Sequence, residues 1–308
     1  MTPIIQTERL TRWYGRTEAV HDLTLSVPEG SIFAFVGPNG AGKTTTIKTV
    51  MNILEPSSGR VTVLGVDSRK LGPEQLHQVG YVSENQELPL WMTLSQLTAY
   101  LAPLYPTWDA AFAEQLRRQL DLPPDRKLRD FSRGMRMKAA LLTSLAYRPR
   151  LLVLDEPFAG LDALIRYEVI TGILELSEQA SWSVFISSHD IHEVERLADW
   201  IGIVNEGRLH LSEPVPSLLG RFRQVEVAFP DVAAPPAHLP PTWLNAEAAG
   251  HLLRFVAPDA SGTPDDEARI RAALPGASTV TLGPMTLEAI FVALARGFRR
   301  KPAAGDGQ

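Results

Sequence analysis

The octapeptide GPNGAGKT at residues 37–44 constrains this chain more than any other segment. It fits G-x-x-x-x-G-K-[ST], and it stands between a short apolar run, SIFAFV at 31–36, and a helical pattern at 44–54. Glycines at 37, 40 and 42 let a loop turn its N–H groups inward, which makes a cradle for phosphate oxygens. A helix starting near Lys43 adds its positive dipole end. In that arrangement Gly37, Asn39, Gly40, Ala41, Gly42 and Thr45 surround the anion, and Lys43 reaches the β- and γ-phosphates. The Thr44 hydroxyl is a ligand for Mg²⁺.

A loop of this kind belongs to an α/β fold, the phosphate-loop NTPase class, and the rest of the chain agrees with it. LLVL at 151–154 and VFIS at 184–187 read as buried strands, and 136–147 and 164–178 as helices. Apolar strands alternating with helices imply a parallel sheet covered on both faces. Strand LLVL ends in Asp155 and Glu156, at the sheet edge where α/β proteins bind ligands. Asp155 there is placed to hold Mg²⁺, and Glu156 to orient or deprotonate an attacking water. His189, just past VFIS in SSHD, can reach a γ-phosphate; with His192 and Glu193 nearby it also allows a metal reading.

The pattern changes after about residue 220. Pro230 to Pro241, with Pro235, Pro236 and Pro240, reads as an irregular connection. Strand patterns at 225–229, 252–256 and 278–282 and helical patterns at 265–274 and 286–295 then predict a small C-terminal α+β domain. The expected organisation is a first domain at 1–220, with a helical subdomain at about 88–148, and an accessory domain at 221–308 whose tail beyond Arg299 is disordered.

Composition narrows the function classes. Of 308 residues, 44% are hydrophobic and 21% charged, ordinary for a globular chain. The absence of cysteine excludes disulfides and thiolate metal sites. A net charge of −5 argues against nucleic acid as a partner. Residues 1–10 lack the pattern of a signal peptide, and no apolar run is long enough to span a bilayer, so the expectation is a chain held at a membrane only by partners.

The order GPNGAGKTT, FSRGM, LLVLDEP, GLD, SSHD resembles the ATP-binding-cassette ATPases, over about residues 4–218. The resemblance implies an ATPase with ATP and Mg²⁺ as cofactors. Two nucleotide-binding domains pair head to tail, as a homodimer or with a related ATPase, and act on separate transmembrane permease subunits. The place implied is the cytoplasm, peripheral on the inner face of the membrane. By the same resemblance Tyr14 stacks on adenine, with Trp13 as the alternative; Ser132 and Gly134 touch the opposite γ-phosphate; and Asp162 belongs to the loop that crosses the dimer interface.

Two departures stand out. Phe131, Arg133 and Met135 replace residues of the usual LSGGQ signature, and Arg133 puts bulk and positive charge where glycine is usual. In GYVSENQ, Glu84 takes the place of a glutamine, so either Glu84 meets Mg²⁺ or water, or Gln86 does. With LPLWMTL, LYPTWD and SRGMRMK, these segments resemble a bacterial exporter subfamily associated with antibiotic resistance. In that family residues 84–108 line the groove for the permease's coupling helix. Leu88, Leu90, Trp91 and Met92 then face a partner, or else pack within the helical subdomain. MTLEAIFVAL near the end resembles the C-terminal extension of such exporters. The importer ATPase is the second reading. A soluble cassette protein acting on ribosomes or DNA is the third, disfavoured by a single cassette and no long heptad insertion.

Overall fold

Five consecutive apolar residues, IFAFV, make a strand (β3, Ile32–Val36) buried at every position, which only a sheet covered on both faces can supply. The computed structural model describes residues 2–84, 86–179, 182–230 and 239–300. They fall into two units that part between Ser212 and Glu213.

In the first unit β3 lies inside a six-stranded sheet. Its members are β6 (Val79–Ser83), β7 (Leu151–Asp155), β8 (Ser183–Ser188), β9 (Trp200–Asn205) and β10 (Arg208–Pro214), in the order β10-β9-β3-β8-β7-β6. The pairs β9/β3, β3/β8, β8/β7 and β7/β6 are parallel. A second sheet of β1 (Pro3–Tyr14), β2 (Thr17–Pro28), β4 (Ser58–Val63) and β5 (Val66–Asp67) is antiparallel, in the order β2-β1-β4-β5. Sequence patterning assigns no strand to this sheet.

The main core lies between the two sheets. Ile5, Leu10, Leu23 and Leu25 from the antiparallel sheet meet Phe33, Phe35, Val153 and Phe185 from the parallel one, around Ile47 and Val50. Phe185 packs 5.9 Å from Phe33 and 5.6 Å from Phe35, and burying each ring contributes about 1.5–3 kcal/mol.

Helix α1 (Lys43–Val50) follows β3, and α2 (Pro73–Leu76) precedes β6. Between β6 and β7 the chain runs through α3 (Leu94–Leu101), α4 (Ala110–Gln119) and α5 (Arg133–Leu145), the stretch where a helical subdomain is expected. Thr93, Asp109 and Ser132 cap these three helices, each accepting a backbone N–H of the first turn. After β7 come α6 (Ala163–Gln179) and, beyond β8, α7 (Ile191–Val194).

The second unit carries α8 (Val215–Arg221), so the division falls a few residues before the expected 220, with this helix on the C-terminal side. It holds β11 (Arg223–Ala228), β12 (Leu244–Ala249), β13 (Leu252–Ala257), α9 (Pro264–Ala273), β14 (Thr279–Pro284) and α10 (Leu287–Arg300). The sheet is antiparallel, in the order β12-β13-β11-β14. Val225, Val227, Leu253 and Phe255, spaced by two, point to a core shared with Ile270 of α9 and Leu274, the residue that ends it. Most of the proline-rich connection, and the tail expected to be disordered, lie outside the described residues.

Candidate active site

Parallel pairing of β3, β8 and β7 brings three chain segments to one sheet edge. Val36 aligns with Ser188, and Ser187 with Asp155, so Gly37, His189 and Glu156 emerge side by side. Gly37 passes so close to β9 that a Cβ there would lie 2.1 Å from the Val204 carbonyl oxygen. Gly42 has φ +96°, and a Cβ on it would lie 2.5 Å from the Ala19 carbonyl oxygen. These two glycines are required by backbone approach and by left-handed geometry. The N-cap of helix α1 is Gly42, which offers no side chain to its first turn, unlike the caps of α3, α4 and α5. Its first N–H groups are thus left for an external anion.

The loop and strand ends line a cleft of about 420 Å³, formed by Ala19, Asn39, Gly40, Gly42, Lys43, Thr44, Thr45, Glu84, Glu156, Ala159 and His189. Lys43, only 5% exposed, donates from Nζ to the carbonyls of Gly37 (2.6 Å) and Pro38 (3.1 Å). Its remaining partner is Glu156 Oε1, at 3.0 Å. The other carboxylate oxygen, Oε2, is 2.8 Å from His189 Nδ1. Glu156 therefore stands between a buried ammonium and an imidazole, on a residue with φ +52°.

Asp155 is buried and sits one residue away. Its Oδ1 accepts from Thr44 Oγ1 (3.1 Å) and Ser187 Oγ (2.8 Å). Burial pushes its carboxyl above the ordinary range, against the pull of those two hydrogen bonds. Ser187 Oγ also accepts the Glu156 N–H at 3.0 Å, so one hydroxyl joins the two acidic residues. Sequence reasoning did not single out Ser187. The available signal was its position near the end of β8, opposite the acidic end of β7.

The site fits the groups that the sequence implies. Thr44 and Asp155 offer only oxygen, as a hard divalent cation prefers, and their oxygens at 3.1 Å are close to the edge of an octahedron of radius about 2.1 Å. The ammonium of Lys43, satisfied here by a carboxylate, and the uncapped start of α1 suit phosphate oxygens.

The other expected residues, Glu84 apart, lie away from the cleft lining. Tyr14 ends β1, 45% exposed, with the Arg12 guanidinium 5.1 Å from its ring centre; Trp13 is 43% exposed. Ser132 Oγ caps α5 by accepting the Met135 N–H at 3.2 Å, which leaves its own proton to donate. Gly134 is buried against Ile165. Asp162 Oδ1 accepts the Ile165 N–H at 2.9 Å and so caps α6. Of Glu84 and Gln86, Glu84 lines the cleft, but its Oε1 is held 3.1 Å from Arg133 Nη2. Glu193 is buried against Ser188 and Arg166. Among the described residues no three His, Cys, Asp or Glu side chains are grouped to hold a metal. Leu90 and Trp91 are exposed, Trp91 by 69%, whereas Leu88 and Met92 are half-buried. No described helix is long and apolar enough to cross a membrane.

Comparison with known proteins agrees with this geometry. The ABC transporter family matches residues 20–159. A solved structure of an ATP-binding subunit of an ABC transporter superposes with a TM-score of 0.63 at 26% identity, over 70% of this chain and 91% of that one. The sulfate/thiosulfate import ATP-binding protein CysA of Salmonella typhi is 29% identical over 68% of this chain and 60% of its own. The bacitracin transport ATP-binding protein BcrA of Bacillus licheniformis is 32% identical over 226 residues, 73% of this chain and 74% of its own. That identity runs along about three quarters of both chains, so this chain belongs to the ABC transporter ATP-binding proteins, which bind and hydrolyse ATP.

Proposed function

We propose that the chain is the ATPase of an exporter, acting as a dimer on separate membrane-spanning subunits at the cytoplasmic face of the membrane. The observation that carries the hydrolytic part is Glu156, held between Lys43 and His189 at the mouth of the phosphate loop. When a triphosphate enters, Lys43 exchanges the Glu156 carboxylate for phosphate oxygens, and Glu156 is released to accept a proton from the attacking water. His189 Nδ1 keeps Glu156 in register, and its other ring nitrogen is the one available to the γ-phosphate. Mg²⁺, held by Thr44 and Asp155, would neutralise charge on the phosphate oxygens.

The dimer is supported by the site itself. Ser132, Gly134 and Asp162 lie outside the cleft of their own chain, as residues that complete a partner's site would. Exposed Leu90 and Trp91 support a docking face for membrane subunits. Similarity to a bacitracin transport ATP-binding protein supports export.

The test is Mg²⁺-dependent ATPase activity against protein concentration, together with mixing of two inactive variants, Lys43→Ala and Ser132→Arg. Specific activity should rise with concentration, and the mixture should regain activity because one composite site is intact. Concentration-independent activity with no complementation would remove the two-chain site. A substrate-binding protein recovered together with the membrane subunits would reassign the chain to an importer.

A further inference from the structure

Two departures from the family pattern, Glu84 and Arg133, are 49 residues apart in sequence but form one ion pair. Arg133 Nη2 lies 3.1 Å from Glu84 Oε1. The same guanidinium rests on Gly160, where a Cβ would lie 2.4 Å from Arg133 Nη1. Gly160 directly follows Ala159, another residue of the cleft wall, and has φ +68°. One side chain from the first turn of α5 thus reaches two segments that border the nucleotide cleft of its own chain.

We infer that Arg133 is a positioning residue for ATP binding in its own chain: it neutralises Glu84 and keeps that carboxylate from repelling the triphosphate. Two carboxylates line the cleft, Glu156 and Glu84. Lys43 offsets the first. Glu84 projects from the loop after β6 with a side chain 39% exposed, and Arg133 is the cation the structure sets against it. A glutamine at 84 would need no such partner, and a glycine at 133 could not supply one. The two substitutions are therefore one change, in which a neutral amide is replaced by a compensated charge. The inference rests on the cleft being the nucleotide site and on nothing about the dimer.

A pair this exposed shifts equilibria modestly, so the expected effects are a few-fold. The experiment is a titration of a fluorescent ATP analogue at protein concentrations where the dissociation constant is concentration-independent, in EDTA and again in Mg²⁺. Arg133→Ala should weaken binding by about 2- to 5-fold in both conditions. Glu84→Gln should bind at least as tightly as the parent chain in EDTA. The double variant should match Glu84→Gln, and Arg133→Lys should retain part of the effect. Lys43→Ala, run alongside, must lose binding; if it does not, the reading of the cleft fails rather than the role of Arg133. Unchanged affinity in Arg133→Ala would overturn the inference. So would a double variant as weak as Arg133→Ala, which would show that the arginine acts through the shape of α5 and not through Glu84. Rescue in the double variant also shows that the arginine-free chain folds.

Discussion

Glu156→Gln should do two things at once: remove hydrolysis and tighten ATP binding to the isolated chain. In the structure the Lys43 ammonium is already occupied by Glu156 Oε1 at 3.0 Å, and both side chains are nearly buried, 5% and 11% exposed. In the proposed binding mode ATP displaces that carboxylate. At 3.0 Å and an effective dielectric of about 20, the Coulomb attraction is about 5–6 kcal/mol. Desolvation of two buried charges cancels most of it, leaving about 1–2 kcal/mol of net attraction. A neutral amide at 156 forfeits that attraction in the nucleotide-free state only, so the dissociation constant for ATP should fall by about 5- to 30-fold. The same energy should appear as lower thermal stability without nucleotide, restored when ATP is added. Turnover should fall by about 100-fold or more with the base gone. The assay is nucleotide titration in EDTA at low protein concentration, paired with melting curves with and without ATP. Affinity that is unchanged in the monomer and rises only under dimer-forming conditions would refute the competition between Glu156 and phosphate for Lys43.

Three further outcomes can be checked separately. Ser187→Ala removes the hydroxyl that serves Asp155 Oδ1 and the Glu156 N–H, both buried, and should cost about 1–3 kcal/mol by denaturant unfolding along with a loss of turnover. Because burial holds the Asp155 carboxyl above the ordinary range, the native state keeps a proton that the unfolded chain has lost. Stability without metal should therefore fall as pH rises from the unfolded carboxylate value through the raised native one. Asp155→Asn should melt higher and with less pH dependence there while losing Mg²⁺ affinity, measured by melting in EDTA and by metal titration. Trp91→Glu, at a residue 69% exposed, should abolish co-purification with the membrane subunits and leave the ATPase activity of the isolated chain intact.

The parallel sheet was legible where its strands are buried on both faces. IFAFV, LLVL and VFIS are near-continuous apolar runs because each residue meets a helix or the other sheet. The antiparallel sheet was not. Bulges at Arg9 and Asp22, both with positive φ, shift its register and break the alternation on which a period-two reading depends. β12, with the sequence LNAEAA, has a helix former's composition and is extended only because it pairs with β13. The phosphate loop and the acidic strand end could be read because their chemistry is local. The pairings of Ser187 with Asp155 and of Arg133 with Glu84 join distant segments, and only the fold brings them together.

Pairing between distant segments also accounts for acidic groups in the proposed anion site. As the proposed triphosphate site, the cleft gains nothing from Glu84 or Glu156 until hydrolysis requires the latter. Each carboxylate is matched by a cation from a different element, Lys43 at the start of α1 and Arg133 at the start of α5. The two matches differ in depth, and so should differ in fate. The Lys43 pair is buried, hence strong enough to matter and situated so that the ligand itself must break it. The Arg133 pair is half exposed, hence weak, and it lies where the ligand need not disturb it. Salt should separate them: the contribution of Arg133 to ATP affinity should fade as ionic strength rises, while the competition at Lys43 persists. Equal salt sensitivity at both positions would mean that burial does not set the difference between them.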